Sequence, residues 1–264
     1  MRTALITGAD GGIGLAYARE LARQGWRTVM VSNRERELAE AARALQTETG
    51  RMVPHLCIDL AERGSAQKVL DWCDAQQLEI ELLVNNAGIY FMEYLSETTL
   101  PKVRTMIALH VENVTEMCIL FGSRMKARGH GYILNMSSMT ARIPAPGIVV
   151  YSATKAYLKS FGKGLSYELR PFGVKVTTVC PAAVDTGLYQ IGERMRRSGR
   201  RLGLIQSPAT LVRRALRATF RGRRVLSPTM VNKLLPPLIA LLPNRTIDRL
   251  GMKWIYRKTD STKH

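Results

Sequence analysis

Short runs of apolar, often β-branched residues alternate along the chain with longer stretches of helical periodicity. The apolar runs predict strands over residues 3–7, 28–32, 52–58, 82–85, 131–136 and 175–180. They are apolar on both faces, which places them in a parallel sheet covered on each side. Between them, apolar positions three and four apart predict helices over 13–24, 36–48, 65–76, 102–126 and 152 to about 170. Repeated strand–helix units of this kind wind into an α/β fold with a doubly wound parallel sheet and right-handed crossovers. After Pro181 the pattern loosens into a loop, an Arg-rich helix near 208–221, and an apolar tail broken by Pro236 and Pro237. No repeat or low-complexity linker divides the chain. We therefore expect one domain, with residues 1–190 as the core that carries the chemistry and 191–264 as a small C-terminal helical lid and tail.

Composition fits this picture. A chain of 264 residues, 46% of them hydrophobic, can bury the large core of a single α/β domain. Cys57, Cys73, Cys118 and Cys180 are widely spaced and form no CxxC pair, so we expect core filler in a reducing cytoplasm, and neither disulfides nor a metal site. The opening MRTALITGAD has no long apolar run, so no secretory signal is expected. The longest late apolar run, residues 234–242, is half the roughly 20 residues a membrane-spanning helix needs. Charge is uneven: residues 192–264 hold 18 Lys and Arg against 3 Asp and Glu, whereas the first 191 hold 21 against 18.

The first strand runs directly into Thr7-Gly8-Ala9-Asp10-Gly11-Gly12-Ile13-Gly14, and a helix opens at once. Glycines permit a tight turn and close backbone approach, and a helix N-terminus offers unpaired N–H groups to a pyrophosphate. Strand, glycine loop and helix in that order are the context that makes the motif specific. The second strand ends Val31-Ser32-Asn33-Arg34, with no carboxylate at 32 or 33 to bind a ribose 2′-hydroxyl. Arg34 next to Asn33 suits a 2′-phosphate, which predicts NADP(H), with NAD as the alternative; the simpler role for Arg34 is to start the next helix. Asp59, followed by Leu60, ends the third strand and either accepts from an adenine amino group or caps the following helix.

Tyr151 and Lys155 stand four residues apart, on one face of a helix. A lysine ammonium beside a phenol favours the phenolate and draws a tyrosine down from its usual value near 10, toward a useful general acid. Ser138, thirteen residues before Tyr151 at the carboxyl end of a strand, can hold the same carbonyl oxygen.

Taken together, these residues resemble the short-chain dehydrogenase/reductase family over roughly residues 1–190. The resemblance implies a Rossmann-type fold and assigns Ser138, Tyr151 and Lys155 as the catalytic Ser, Tyr and Lys. It assigns Gly8, Asp10, Gly12, Ile13 and Gly14 to the cofactor phosphates, and Asn86, Ala87 and Gly88 to the stretch supporting the cofactor. Pro181, Val184 and Thr186 match the segment that holds the nicotinamide carboxamide, with Ala182 where a glycine is usual. The family's fourth catalytic residue, an Asn in the long helix before the Ser strand, falls on His110, which either relays protons in its place or serves as packing. The implied reaction is hydride transfer between the nicotinamide and a carbonyl or alcohol carbon, with Tyr151 exchanging the proton. The implied assembly is a homodimer or homotetramer through the long helices.

The substrate is read less directly. Met139, Ile143, Pro144, Pro146 and Ile148 make the stretch before Tyr151 apolar, which suits a flat apolar ketone or secondary alcohol. The C-terminal pattern is similar to the branch of hydroxysteroid dehydrogenases and long-chain 3-ketoacyl reductases. A hydroxysteroid is the expected substrate, and a ketoacyl thioester the alternative. From another class, a cofactor-binding scaffold without turnover is the rival, and the departure at His110 is its one support. The arginines at 194, 196, 197, 200, 201, 213, 214, 217, 221, 223 and 224 can draw an anionic substrate tail, touch an anionic membrane surface as a peripheral contact, or simply form a solvated face. With no binding motif and few aromatics, nucleic acid is not an expected partner.

Overall fold

A computed structural model describes residues 1–143, 146–185, 205–241, 243, 245 and 246. Seven parallel strands form the central sheet: β1 (Thr3–Thr7), β2 (Arg27–Ser32), β3 (His55–Cys57), β4 (Ile80–Asn85), β5 (Gly131–Met136), β6 (Val174–Val179) and β9 (Val225–Leu226). Their spatial order is β3-β2-β1-β4-β5-β6-β9, so the winding reverses between β1 and β4. In such sheets the crevice at the carboxyl ends of the two strands flanking that reversal is the usual ligand site. A separate pair, β7 (Ala183–Val184) and β8 (Ile205–Gln206), lies beyond β6.

Alternating side chains of each strand feed two cores, which explains the two-sided apolar runs. Ala4 and Ile6 of β1, with Leu134 and Met136 of β5, pack under α1 (Gly12–Arg23), α2 (Glu35–Thr49) and a C-terminal helix, Pro208–Phe220. Leu5 and Ile133 face the other way, against α3 (Ser65–Ala75), α5 (Asn113–Ala127) and α6 (Val149–Leu169). The Pro208–Phe220 helix, α7, buries Leu211, Val212, Ala215 and Leu216 and leaves Arg213, Arg214 and Arg217 outside. Its start is set by Ser207, whose Oγ accepts the Thr210 N–H at 3.3 Å.

Four differences from the sequence pattern have local causes. The predicted helix over 102–126 is α4 (Leu100–Ile107) and α5 joined by a π-helical turn, Ala108–Glu112, that contains His110. Such a turn inserts one residue into the helical ladder and leaves helix on both sides of it, so the sequence pattern reads as one continuous helix. β3 shrinks to three residues at the sheet edge because Pro54 has no N–H to donate, although its carbonyl accepts from Met30. Helix α8 (Met230–Ala240) continues through Pro236 and Pro237, where the pattern suggested a break. Proline lacks two ladder donors there, but its fixed φ is close to the helical value. Finally, Cys57 is exposed on edge strand β3, whereas Cys73, Cys118 and Cys180 are core residues.

Candidate active site

The glycine loop leaves β1 and enters α1 with no acidic residue in the first helical turn, so the positive end of the helix is uncompensated. The loop folds back tightly on itself: a Cβ on Gly14 would lie 1.9 Å from the Gly8 carbonyl oxygen, and Gly8 itself has φ +63°. Asn86 sets this shape. Its side-chain amide donates to the carbonyls of Thr7 at 2.9 Å and Gly8 at 3.2 Å, while its backbone N–H and that of Ala87 donate to the Thr7 hydroxyl. Thr7, absent from the expected site, therefore stitches β1 to the end of β4.

From this loop a groove of about 520 Å³ runs past Asn33 and Arg34 to Asp59 and Leu60, and back along Asn86, Ala87 and Gly88. Free helix N–H groups, a close backbone turn and side chains at both ends fit an elongated dinucleotide diphosphate. Two groups in it already have partners. Arg34 forms an ion pair with Asp10 and lies 3.8 Å from Glu37. One Asp59 carboxylate oxygen accepts the Ala61 N–H at 2.9 Å, so Asp59 closes a local turn, whereas the next helix begins at Ser65.

At its inner end the groove meets a smaller cavity of about 70 Å³, lined by His110, Ser138, Tyr151, Lys155, Pro181 and Val184 among others. Residues far apart in sequence converge there because β5, β6 and β7 end at its floor and α6 forms its wall. Ser138 is buried and extended (φ −154°), and its Oγ accepts the Thr140 N–H at 3.2 Å, which leaves its own O–H to donate. Tyr151 and Lys155 share one face of α6, with Lys155 Nζ 5.5 Å from the Tyr151 ring. Lys155 Nζ donates to the Met136 carbonyl at 3.1 Å, and burial draws its pKa down to about 8. Ser137 was not anticipated. Its hydroxyl donates to the Lys155 carbonyl at 2.7 Å and ties α6 to the end of β5. Side by side in sequence, Ser137 and Ser138 look alike, yet the Ser137 hydroxyl is spent on the Lys155 carbonyl while Ser138 Oγ accepts only the Thr140 N–H.

His110 is fully buried and both its ring nitrogens have partners. Nε2 accepts the Ile89 N–H at 3.0 Å, and Nδ1 lies 3.0 Å from the Thr154 hydroxyl. Because that hydroxyl donates to the Tyr151 carbonyl at 2.8 Å, Nδ1 must be the protonated nitrogen. Burial first, and the nearby Lys155 charge second, hold the imidazole neutral, well below its usual value. His110 thus links the segment after Gly88 to the Tyr151 turn of α6. Asn113, one helical turn on, instead donates to Ser65 Oγ at 3.0 Å and fixes the start of α3.

An apolar wall unmarked by any motif packs beside the cavity: Tyr151 packs with Met106 and Ile148, and Ile89, Tyr90, Phe91 and Met92 cover them. Tyr90 meets the Tyr151 ring edge to face at 5.0 Å. Thr186, Pro144 and the arginines from 194 to 201 lie outside the described residues.

Comparison with known proteins addresses the family and the fold. The model of the short chain dehydrogenase family matches residues 2–196. Very-long-chain 3-oxoacyl-CoA reductase-A of Danio rerio is 33% identical over 192 residues, covering 71% of this chain and 60% of the relative. The 17-beta-hydroxysteroid dehydrogenase type 3 of the same organism is 32% identical over 190 residues, covering 70% and 61%. The chain thus spans about three fifths of the length of both relatives. A short-chain dehydrogenase from Sphingobium yanoikuyae in complex with NADPH superposes with a TM-score of 0.77 at 28% identity, covering 92% of this chain and 97% of that one. Fold and sequence agree: the chain belongs to the short-chain dehydrogenase family, in the branch of these hydroxysteroid dehydrogenases and long-chain oxoacyl reductases.

Proposed function

We propose that the protein is an NADP(H)-dependent oxidoreductase that interconverts an apolar ketone and its secondary alcohol, with a hydroxysteroid as the leading substrate class. The observation that carries this reading is the meeting of Ser138, Tyr151 and Lys155 in one cavity at the inner end of the glycine-loop groove. Gly8 to Gly14 would hold the diphosphate, Asn33 and Arg34 the adenosine ribose, Asp59 and Leu60 the adenine. Lys155 and Tyr151 would hold the nicotinamide ribose, and Pro181, Val184 and Thr186 the carboxamide. When bound there, the reduced dinucleotide supplies the hydride for the carbonyl carbon. Ser138 donates its O–H to the carbonyl oxygen. Tyr151 gives its phenolic proton to that oxygen as negative charge develops on it, and the Lys155 ammonium stabilises the phenolate left behind. Oxidation of the alcohol runs the same proton path in reverse. The apolar wall of Tyr90, Phe91 and Met92 supports a hydrophobic substrate, because few polar groups compete for it.

Arg34 supports the preference for NADP(H). A 2′-phosphate arriving there has to displace or share the guanidinium that Asp10 now holds. Charge-assisted contacts of this kind contribute about 1.5–3 kcal/mol. Arg34→Gln is therefore expected to lower the ratio of kcat/KM for NADPH over NADH by about tenfold or more, and Asp10→Asn to raise it. Steady-state kinetics with both cofactors checks this, and a ratio unmoved by Arg34→Gln removes Arg34 from cofactor choice.

With both nitrogens engaged and no charge change near neutrality, His110 acts as a positioning residue between the Ile89 segment and Tyr151. His110→Phe leaves the half-buried Ile89 N–H and the buried Thr154 contact unmet, at a cost of about 1–3 kcal/mol in stability. We expect kcat to fall about tenfold with little change in cofactor affinity, and His110→Asn to recover most of both. Urea unfolding and kinetics on the two variants check this. A stable, fully active His110→Phe would make the residue plain packing.

A further inference from the structure

A second cavity, of about 470 Å³, opens beyond β6 and β9, outside the dinucleotide groove. Six cationic side chains line it: Arg142, Arg214, Arg217, Arg221, Arg223 and Lys233. The first of these lies on the short turn Met139–Arg142 that Ser138 caps. The next three, at positions i, i+3 and i+7, project from the outer face of α7 and its end. Arg214 is oriented by a 2.7 Å bond to the Pro228 carbonyl. No Asp or Glu lines this cavity among the described residues. Some arginines elsewhere are neutralised: Arg19, Arg34 and Arg124 each sit against a carboxylate. None of the six forms an ion pair among the described residues. Like charges gathered around one concave space repel one another until an anion enters, and planar guanidinium groups match the paired oxygens of a phosphate.

We propose that this cavity is a binding site for a phosphate-bearing group, a diphosphate or a phosphate monoester, distinct from the dinucleotide phosphates. Because Arg142 shares a turn with Ser138, the phosphate belongs either to the far end of a soluble carbonyl substrate or to the headgroup of a lipid surface. The site goes beyond the hydride-transfer reading, and its test does not use turnover.

The probe is inorganic pyrophosphate, titrated calorimetrically into the full chain with NADP present to fill the glycine loop. The wild type is expected to bind it saturably, and the Arg217→Gln/Arg221→Gln pair to bind at least about tenfold more weakly. Both side chains are exposed, so the variant is expected to keep the wild-type melting temperature. In a parallel arm, the chain is floated with phosphatidylcholine vesicles with and without phosphatidic acid. Flotation that needs phosphatidic acid and is competed by pyrophosphate identifies a headgroup as the source. Pyrophosphate binding without flotation identifies a soluble one. Pyrophosphate binding that is absent, or equal in the wild type and the Gln pair, overturns the proposal and leaves a solvated basic face. Failure of NADP to bind, seen in its own titration, would count against the dinucleotide reading instead, since the comparison of wild type with the Gln pair stands without it.

Discussion

Replacing Tyr151 with Phe is expected to lower kcat by about 10²–10⁴, the usual contribution of a positioned general acid, while cofactor affinity falls far less, because Lys155 and the glycine loop still hold the dinucleotide. The ring remains to pack against Tyr90 and His110, and only the oxygen that exchanges the proton is lost. The accompanying pH dependence comes from Lys155. Burial lowers its pKa to about 8, so the ammonium of the free enzyme is lost as pH rises through that value, and kcat/KM for ketone reduction declines above it. The stability effect of this group has the opposite sign. Between about 8 and the ordinary 10.5 the unfolded chain binds more protons than the folded one, so the Lys155 contribution to stability rises with pH across that window. Activity that falls while resistance to urea holds or rises, over the same pH range, distinguishes titration of the site from unfolding. A Tyr151→Phe enzyme retaining most of its kcat would remove Tyr151 from proton transfer.

Gly14→Ala is expected to have the second large effect. The new methyl would lie 1.9 Å from the Gly8 oxygen and 2.6 Å from its carbonyl carbon, and backbone atoms cannot rotate away as a side chain can. The loop has to open, and the Asn86 bonds to Thr7 and Gly8 that hold it are disrupted. Forced overpacking of this kind costs about 1–3 kcal/mol. Because the same loop presents the helix N–H groups, NADP binding should become undetectable. Gly11→Ala is the control. Its backbone is extended (φ −175°), and an added Cβ would meet only Arg34 Nη2, at 3.6 Å. Thermal melts and fluorescence titration of the cofactor measure both variants. A Gly14→Ala protein that melts and binds like wild type would contradict the tight-loop geometry.

Much of this site was legible in the sequence because its chemistry is tied to local spacing. The glycine loop lies between one strand and one helix, and Tyr151 and Lys155 lie one helical turn apart. Ser138 stands out in the sequence because strand ends are where ligands sit in parallel sheets. What escaped notice depends on contacts across the fold. The Thr7–Asn86 stitch joins residues 79 apart, and the Ser137–Lys155 tie spans 18. The π-helical turn at Ala108–Glu112 was invisible to periodicity, yet it sits where His110 reaches both Ile89 and Thr154. Arg34 is singled out in the sequence by its place after β2, but its ion pair with Asp10 depends on how the loop folds over the strand end. The basic tail was evident as a count of charges, whereas the cavity formed with Arg142 appears only once β9 has added to the sheet beside β6.

The central claim is that Ser138, Tyr151 and Lys155 form a working hydride-transfer site on a carbonyl substrate. The direct test follows NADPH oxidation by its near-ultraviolet absorbance, using wild type and Tyr151→Phe against a panel of ketosteroids, acyclic apolar ketones and 3-ketoacyl thioesters. The predicted result is turnover of at least one apolar ketone by wild type, with the Phe variant still binding NADPH but inactive. Tight NADPH binding with no turnover of any panel member by wild type would contradict the account and mark the chain as a cofactor-binding scaffold.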